Sequence, residues 1–487
     1  MSSMSEPTEP RYVPTAPEEL LARAKSRSAA TRRHRLLGAG GSLAVVLALV
    51  ISVVLLPAGS AKPQPATSRP GKVFVSDRIG NAYELTANEV SASPPRPRVA
   101  KEVENAEVAF SLDLLNNLQG ASNSQNVLVS PSSLTTALAM LELGASGSTE
   151  QGIASTLRTA GLSAADQAAG WNAIATLLAG ETSTTGRNLR RVPELNIANA
   201  LWVQQHFAVE AAFVRALSRE FQTGVWQVDF NNDLTGATNA INQWTSENTK
   251  GFIKQLFSPG GLSPQTVLVL ADAVFFRADW AYRFKNATVD ELFHLASGST
   301  ESVPFMTSGP AISPKALKVP VSRTDQYVAV ELPYAGKKLS ALVVMPTMSS
   351  LSQFVSSLTP GSLNQIASDM PTEAVDLSMP TFTLRSDNQL NQTLMSMGMS
   401  QAFGNGADFG RITPSTQLQV HAVEQHAYLQ VTPKGTTAAA ATGISVIATA
   451  TRADTQPIVI DHPFLFLVRD DATGTVLFES MVEDPAT

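Results

Sequence analysis

The chain has 487 residues, 44% of them hydrophobic and 16% charged, so it can bury a large core. Its net charge of −6 gives no argument for nucleic-acid binding. The absence of cysteine excludes disulfides, thiol nucleophiles and cysteine-ligated metals.

The N-terminal region predicts a membrane anchor. Residues 1–35 are polar and end in a cluster of arginine and lysine, and Leu36–Leu56 then runs for 21 residues without a charge. That length spans a bilayer as a helix. Because the basic residues lie mainly before it, we expect residues 1–35 in the cytoplasm and the rest outside. A cleaved signal peptide, giving a secreted chain, competes because small residues at 58–61 form passable cleavage sites.

Residues 57–102 are rich in proline, serine and alanine, which is typical of a stalk between membrane and domain. Within them, residues 72–85 (KVFVSDRIGNAYEL) have the pattern of a short hairpin. From residue 103 to residue 487 the pattern is that of a globular domain. The predicted domain boundaries are therefore 1–35, 36–56, 57–102 and 103–487.

Helices predominate early in the globular region and strands late, which predicts an α+β fold. Ser130-Pro131 has the form of a helix start, with a capping hydroxyl and a proline in the first turn. Thr266–Phe276 is almost continuously apolar, as expected for a central strand buried on both faces. Later strand candidates are Tyr327–Pro333, Leu339–Pro346, Val375–Leu384, Ala427–Val431, Ile458–Ile460, Phe464–Arg469 and Val476–Val482.

Motifs of common enzyme chemistry are missing from the sequence: it has no HExxH, GxSxG or P-loop. The six histidines show no metal-ligand spacing, and His421 and His426 would face opposite ways on a strand. We therefore expect no metal, no cofactor and no enzymatic activity.

Several segments, in order and spacing, resemble the serpin family from about Ala106 to Pro485. Asn126–Leu134 (NVLVSPSSL) resembles its strand-to-helix motif, and Leu270–Trp280 (LADAVFFRADW) its central strand. Further matching segments are Asn199–Val203, Glu331–Tyr334, Met379–Phe382, Leu394–Phe403, Ala407–Phe409, Asp461–Leu467 and Thr473–Phe478.

The resemblance implies a serpin fold with a large mixed central sheet and an exposed, insertable reactive-centre loop. By the same resemblance, we expect a serine protease to cleave that loop, the cleaved strand to enter the sheet, and the acyl-enzyme to be trapped as a covalent complex. The segment that resembles the hinge of inhibitory members consists of Lys434, Gly435, Thr436, Thr437, Ala438, Ala439, Ala440, Ala441 and Thr442.

The residues of the loop are compatible with insertion. As a strand, Thr436–Thr449 would extend roughly 46 Å at about 3.3 Å per residue. About a dozen added ladder bonds would contribute on the order of 10 kcal/mol, comparable to the stability of a whole domain. The face that begins at Thr436 and alternates to Ala448 carries neither charge nor proline.

Counting from the hinge glycine as in the family, the reactive bond is Thr449–Ala450. Small apolar residues there suit an elastase- or subtilisin-like protease. Arg452–Ala453 offers a trypsin-like bond three residues later, and Ile447–Ala448 is a further alternative.

Some positions depart from the family pattern. Pro433 replaces a glutamate before the hinge, Asp272 an asparagine, Gln425 a histidine and Ser480 a glycine. His426 would take the histidine position only with a shift of one residue. We expect a sheet-opening cluster of Ser130, Ser133, Asp272, Gln425 and Trp280, with an amide-to-carboxylate hydrogen bond from Gln425 to Asp272.

Two functions remain open on the sequence alone: a membrane-anchored inhibitor of serine proteases, or a non-inhibitory serpin-fold binding or scaffold protein of the cell surface. We expect a monomer whose partners are a serine protease and, through one N-terminal helix, the membrane. The lack of cysteine, the alanine content and the basic-flanked anchor are typical of a bacterial chain.

Overall fold

The structure is a computed structural model that describes residues 72–88, 96–121, 126–182, 193–282, 284–285, 288–310, 316–414, 418–436 and 457–487. The predicted anchor, Leu36–Leu56, lies outside the described residues, as do positions 437–456 of the predicted reactive loop. Within the part of the chain that is described, no helix is long and apolar enough to cross a bilayer.

Helices alternate with strands in the first half of the described chain, and strands predominate in the second. The helices are α1 (Pro97–Ala121), α2 (Pro131–Glu142), α3 (Gly147–Thr156), α4 (Ala164–Glu181), α5 (Ala211–Glu220), α6 (Leu234–Asn248), α7 (Leu351–Ser357), α8 (Pro360–Ser368) and α9 (Asn391–Leu394), the last followed by helical turns at Met395–Met399 and Ser400–Phe403.

The strands are β1 (Val73–Ile79), β2 (Ala82–Ala87), β3 (Val127–Val129), β4 (Glu194–Gln204), β5 (Val225–Val228), β6 (Leu268–Asp279), β7 (Val289–His294), β8 (Thr300–Thr307), β9 (Leu317–Arg323), β10 (Tyr327–Pro333), β11 (Leu339–Pro346), β12 (Thr372–Val375), β13 (Leu377–Pro380), β14 (Phe382–Gln389), β15 (Ala422–Thr432), β16 (Gly435–Thr436), β17 (Ile458–Val459), β18 (Phe464–Asp470) and β19 (Val476–Val482).

An eight-stranded mixed sheet forms the centre of the fold, in the order β1-β2-β5-β4-β6-β16-β15-β14. Strand β6 is buried at all but two of its positions, as its continuous apolar sequence predicts. Helix α6 packs on one face of this sheet, where Trp202, Trp226 and Trp244 lie in one apolar cluster. The α+β class and the large mixed sheet are therefore confirmed.

Two smaller sheets complete the described chain. A seven-stranded sheet has the order β12-β9-β10-β11-β18-β19-β3 and packs against α1, α7 and α8. The predicted hairpin of Tyr327–Pro333 with Leu339–Pro346 is present as β10 and β11. A four-stranded sheet has the order β17-β13-β8-β7.

The structure corrects the part of the predicted stalk that it describes, residues 72–88 and 96–102. The hairpin expected within residues 72–85 forms as β1 and β2, and β2 pairs with β5, so these strands extend the central sheet instead of spacing it from a membrane. Helix α1 begins at Pro97, ahead of the predicted boundary at residue 103. Ile79 and Ala82 stand opposite each other at the turn end of the hairpin, and both are buried in the cluster under α6, which holds this segment on the domain.

The start of α2 also differs in detail from the prediction. Ser130 has an extended backbone and Pro131 occupies the first turn, as expected. The Ser130 hydroxyl does not cap the helix, because it donates instead to the carbonyl of Leu477, at 2.6 Å. The serine therefore links α2 to the seven-stranded sheet.

Candidate functional site

The predicted hinge begins inside the central sheet. Gly435 and Thr436 form β16, which lies between β15 and β6 and pairs antiparallel with both. Thr436 stands opposite Val431 on one side and Ala278 on the other. Farther down the sheet, β6 and β15 pair directly and in parallel, over residues 269–274 and 422–427. The sheet is therefore open at one end, where it holds the first residues of the hinge, and closed below.

Two residues make this arrangement possible. A β-carbon on Gly435 would come within 2.0 Å of the Ala278 carbonyl oxygen, so glycine is required where β16 enters the sheet. Pro433 and Lys434 form the two-residue turn between β15 and β16. Proline suits this turn because its fixed φ favours the first central position and no amide hydrogen is needed there.

The sheet mouth, defined as Trp280, Tyr334, Thr432, Gly435 and Thr436, is a buried network of uncharged groups. The Trp280 ring stacks on Tyr334, with centroids 4.6 Å apart, and its Nε1 donates to the Thr432 carbonyl at 2.9 Å. The hydroxyls of Tyr334 and Thr436 are hydrogen-bonded at 2.6 Å. Burial raises the pKa of Tyr334 above its usual value, so its hydroxyl stays protonated. Thr436, the last described residue of the hinge, therefore already has a buried hydrogen-bond partner, the Tyr334 hydroxyl.

The polar clasp, defined as Ser130, Ser133, Asp272 and Gln425, lies where β6 and β15 pair directly. The Gln425 side chain accepts from the Ser130 amide at 2.8 Å and donates to the Ser130 carbonyl at 2.9 Å. Its Nε2 also donates to Asp272 Oδ2 at 2.7 Å. Asp272 Oδ1 accepts from the Ser133 hydroxyl. The clasp thus links the two strands to each other and to the start of α2.

Asp272 is a fully buried carboxyl group inside this clasp. Burial raises its pKa to about 7, against the opposing effect of the hydrogen bonds from Ser133 and Gln425. The neutral, protonated form of Asp272 is therefore favoured up to a higher pH than in an exposed aspartate.

The structure brings together four of the five residues predicted for sheet opening and separates the fifth. Ser130, Ser133, Asp272 and Gln425 are in contact, and the expected Gln425–Asp272 hydrogen bond is present. Trp280 follows the end of β6 and belongs to the sheet mouth instead. Trp280 and Asp272 share one sequence motif but are eight positions apart, and a strand advances about 3.3 Å per residue.

The register decides between Gln425 and His426. Gln425 stands opposite Asp272 without a shift, whereas His426 lies one position on, with its Nδ1 3.1 Å from Asp387. Ser480, another departure from the family pattern, is buried and donates its hydroxyl to the Phe466 carbonyl at 3.2 Å. Of the predicted hinge, only Lys434, Gly435 and Thr436 are described. Thr437, Ala438, Ala439, Ala440, Ala441, Thr442 and the bond Thr449–Ala450 lie outside the described residues.

Sequence reasoning missed two residues of the site and one group of residues outside it. Tyr334 lies in the quoted ELPY segment, and Asn199 begins another quoted segment and donates to the Ser133 carbonyl at 3.0 Å, so both had a signal. The third is a group that could hold a metal ion, formed by His294, Asp461 and His462. The expectation of no metal cluster rested on local spacing, and His294 is 167 positions from Asp461.

Comparisons with known proteins agree with this geometry. Residues 105–485 match the family model described as serpin (serine protease inhibitor). An uncharacterized serpin-like protein of Thermococcus kodakarensis is 32% identical, over 90% of this chain and 98% of its own. Plasminogen activator inhibitor 1 of Neovison vison is 32% identical, over 82% and 97% respectively.

The fold comparison gives the same result. The native-state crystal structure of tengpin, a thermophilic serpin, has a TM-score of 0.69 at 23% identity and covers 82% of this chain and 97% of its own. The family model matches 381 consecutive positions, and a relative is 32% identical over 90% of the chain. The chain therefore belongs to the serpin family.

Proposed function

We propose that the chain inhibits serine proteases as a suicide substrate, by loop cleavage followed by insertion of the hinge into the central sheet. One observation carries this proposal: β16 already lies between β6 and β15, and the small residues Thr437–Thr442 follow it directly. A strand that is started in the sheet and continues with small side chains can lengthen as β6 and β15 separate.

The present register defines how insertion would proceed. In an antiparallel ladder, each step forward along the hinge is one step back along β6 and β15. From Thr436, opposite Ala278 and Val431, six further positions bring Thr442 between Asp272 and Gln425. Insertion therefore replaces the Gln425–Asp272 hydrogen bond with contacts to the Thr442 hydroxyl, which both donates and accepts.

The covalent step precedes insertion. The serine oxygen of the protease bonds to the carbonyl carbon of Thr449, and the peptide bond to Ala450 breaks. Ala450 leaves with a protonated amine, and Thr449 remains as an ester on the enzyme. Insertion then moves this ester along the sheet, and distortion of the protease prevents its hydrolysis. The small residue before the cleaved bond supports an elastase- or subtilisin-like target, with Arg452–Ala453 as the alternative bond.

The name of the mink relative, plasminogen activator inhibitor 1, supports protease inhibition as the general activity. The name of this relative does not identify the target protease of this chain, because the residues around the reactive bond determine which protease cleaves it. We expect no enzymatic activity of the chain itself, since it acts as a substrate that is not released.

The proposal is tested by incubating the full chain with elastase, subtilisin and trypsin. We expect an SDS-stable complex with elastase or subtilisin, cleavage mapped to Thr449–Ala450, and a higher melting temperature of the cleaved chain. Protease whose catalytic serine is chemically blocked serves as the control and should form no complex.

A matched pair of variants tests insertion directly. In a strand that continues β16, the alternation of side chains would put Ala440 on the face of Thr436, whose hydroxyl points into the buried network, and Ala441 on the opposite face. Ala440→Arg should convert the inhibitor into a substrate that is cut without complex formation, and Ala441→Arg should retain the complex. Cleavage of the unaltered chain with neither complex nor gain in heat resistance would overturn the proposal in favour of a non-inhibitory binding protein.

We further propose that Leu36–Leu56 anchors the chain in a membrane with the serpin domain outside. The support is the uncharged length of the segment and the excess of basic residues before it. The serpin domain should stay with membranes through carbonate extraction and be digested by protease added outside intact cells. Recovery of the domain in the medium, beginning near residue 60, would identify a cleaved signal peptide instead.

A further inference from the structure

Two histidines and one aspartate meet next to the end of the reactive-loop segment. His294 ends β7, whereas Asp461 and His462 follow β17, the first described strand after the loop. The amide of His294 donates to the Asp461 carbonyl at 2.7 Å, which joins the two segments through the backbone. The imidazole rings of His294 and His462 lie 4.5 Å apart and nearly parallel.

The three residues present ligand atoms close to one another. Nδ1 of His462 lies 2.8 Å from Asp461 Oδ1, whereas Nδ1 of His294 lies 3.2 Å from the Asp461 carbonyl oxygen and 3.9 Å from Asp461 Oδ2. One ligand atom from each residue falls within 4.8 Å of the other two. The three side chains are partly exposed, with between 29% and 53% of their surface accessible, so an ion can enter and the rings can rotate.

We propose that His294, Asp461 and His462 bind a divalent transition-metal ion, most favourably Zn²⁺. The ion would link the chain segment that follows the reactive loop to strand β7. Bonds of about 2.0–2.2 Å to imidazole nitrogen and carboxylate oxygen place neighbouring ligand atoms of tetrahedral zinc about 3.3 Å apart. The distances of 2.8 and 3.9 Å lie on either side of this value, and binding requires the two nearly parallel rings to turn until a nitrogen lone pair of each points at the ion.

The donor set selects the class of ion. Two neutral imidazoles and one carboxylate suit Zn²⁺, whereas Mg²⁺ and Ca²⁺ require mainly oxygen ligands. Three protein ligands leave one tetrahedral position for water. This site is separate from the hinge, and its existence does not depend on protease inhibition.

The position of the site defines what the ion does. Strand β17 is only two residues long and pairs in parallel with β13. The Ile458 and Ile460 amides donate to Asp376 and Ser378, at 2.8 and 2.9 Å. Among the described residues, these two backbone hydrogen bonds join Ile458 and Ile460 to the neighbouring strand. A metal ion between His462 and His294 would restrain the same stretch of chain.

The first measurement is calorimetric titration of the full chain, purified without a polyhistidine tag, with Zn²⁺ and, separately, with Mg²⁺. We expect saturable one-to-one binding of zinc alone. His294→Asn and His462→Asn should each weaken it at least about tenfold. His206→Asn is the matched control: His206 is exposed, and its φ of 75° is one that asparagine tolerates, so zinc binding should be unchanged.

The second measurement is hydrogen exchange of the peptide that contains Ile458 and Ile460, with and without Zn²⁺. We expect slower exchange with zinc in the unaltered chain and in His206→Asn, and no zinc effect in His462→Asn. Absence of saturable binding, or binding that survives both site variants, would overturn the metal site. If zinc binds but exchange at the Ile458 and Ile460 amides is unchanged, the ion does not hold the chain after the reactive loop to β7.

Discussion

The sheet mouth and the polar clasp hold the same pair of strands, β6 and β15, in two different ways. At the mouth the strands are already apart, and β16 bonds to each of them. At the clasp they pair directly, and Gln425 bonds to Asp272 across the interface. In the proposed insertion, the bonds at the mouth are kept as the hinge lengthens, whereas the Gln425–Asp272 bond must break before Thr442 can enter.

We therefore expect the resistance to the proposed insertion to lie at the clasp. The mouth groups are uncharged and bond to residues of the hinge itself. The clasp includes a fully buried carboxyl group whose burial raises its pKa. The proposed insertion must replace the Gln425–Asp272 bond, and the same glutamine side chain makes two further hydrogen bonds to Ser130, so loss of Gln425 should disturb the sheet most.

Gln425→Ala should give the largest effect. It leaves the Ser130 amide, the Ser130 carbonyl and Asp272 Oδ2 without these partners, at about 1–3 kcal/mol each. We expect the free energy of unfolding to fall by roughly 5 kcal/mol in urea titrations. The control is Gln430→Ala on the same strand, where the single bond to Thr383 is only partly buried, and a loss of about 1 kcal/mol is expected. Equal effects of the two variants would contradict a special role for the clasp.

Asp272→Asn should change the pH dependence of stability. The pKa of Asp272 is raised from 3.8 to about 7, so folding takes up a proton between these values and stability falls as the pH rises through them. The variant cannot lose this proton. Relative to the unaltered chain, it should gain on the order of 4 kcal/mol between about pH 4 and pH 8.

The replacement keeps the hydrogen bonds of the clasp. The oxygen of the introduced amide can accept from Gln425, and its nitrogen can donate to the Ser133 hydroxyl, which can then donate to Asn199. Burial also raises the pKa of Glu107, Glu142 and Glu424, to about 8 in each case, so only the difference between variant and unaltered chain reports on Asp272. A pH-independent difference would show that the carboxyl group does not titrate in this range.

Gly435→Ala tests the mouth. The added carbon would meet the Ala278 carbonyl at 2.0 Å, so β16 must leave its place between the strands. We expect a loss of about 2 kcal/mol, for two or more ladder bonds, and faster hydrogen exchange at Trp280, whose amide donates to the Lys434 carbonyl. Gly161→Ala is the control, because no atom lies within 4 Å of its added carbon. Unchanged exchange at Trp280 would show that β16 remains seated.

Tyr334→Phe should give the smallest effect. It removes the hydroxyl that pairs with Thr436 and keeps the ring that stacks on Trp280, so we expect a loss of about 1 kcal/mol. Tyr282→Phe removes a hydroxyl near the surface, 3.3 Å from Lys337, and should change stability by less than about 0.5 kcal/mol. Thermal unfolding of both variants, measured side by side, separates the two positions; a loss as large as that of Gln425→Ala would reverse the comparison.

Much of the fold could be predicted because its signals are local. The apolar run of β6, the hairpin of β10 and β11 and the order of the family segments depend on neighbouring residues, and these predictions are confirmed. The stalk could not be judged locally: a segment rich in proline and serine also contains β1 and β2, and their attachment to β5 depends on a strand more than a hundred residues away.

By itself, the sequence determined the serpin family, the α+β class and the alternation that puts Thr436 and Ala440 on one face, since periodicity and motif order need no distant contact. Only the tertiary structure decided that Gln425, and not His426, faces Asp272, because a shift of one residue turns every side chain of a strand to the other face. It also decided that Trp280 belongs to the mouth and that His294 meets His462, since such contacts depend on where separate strands come together.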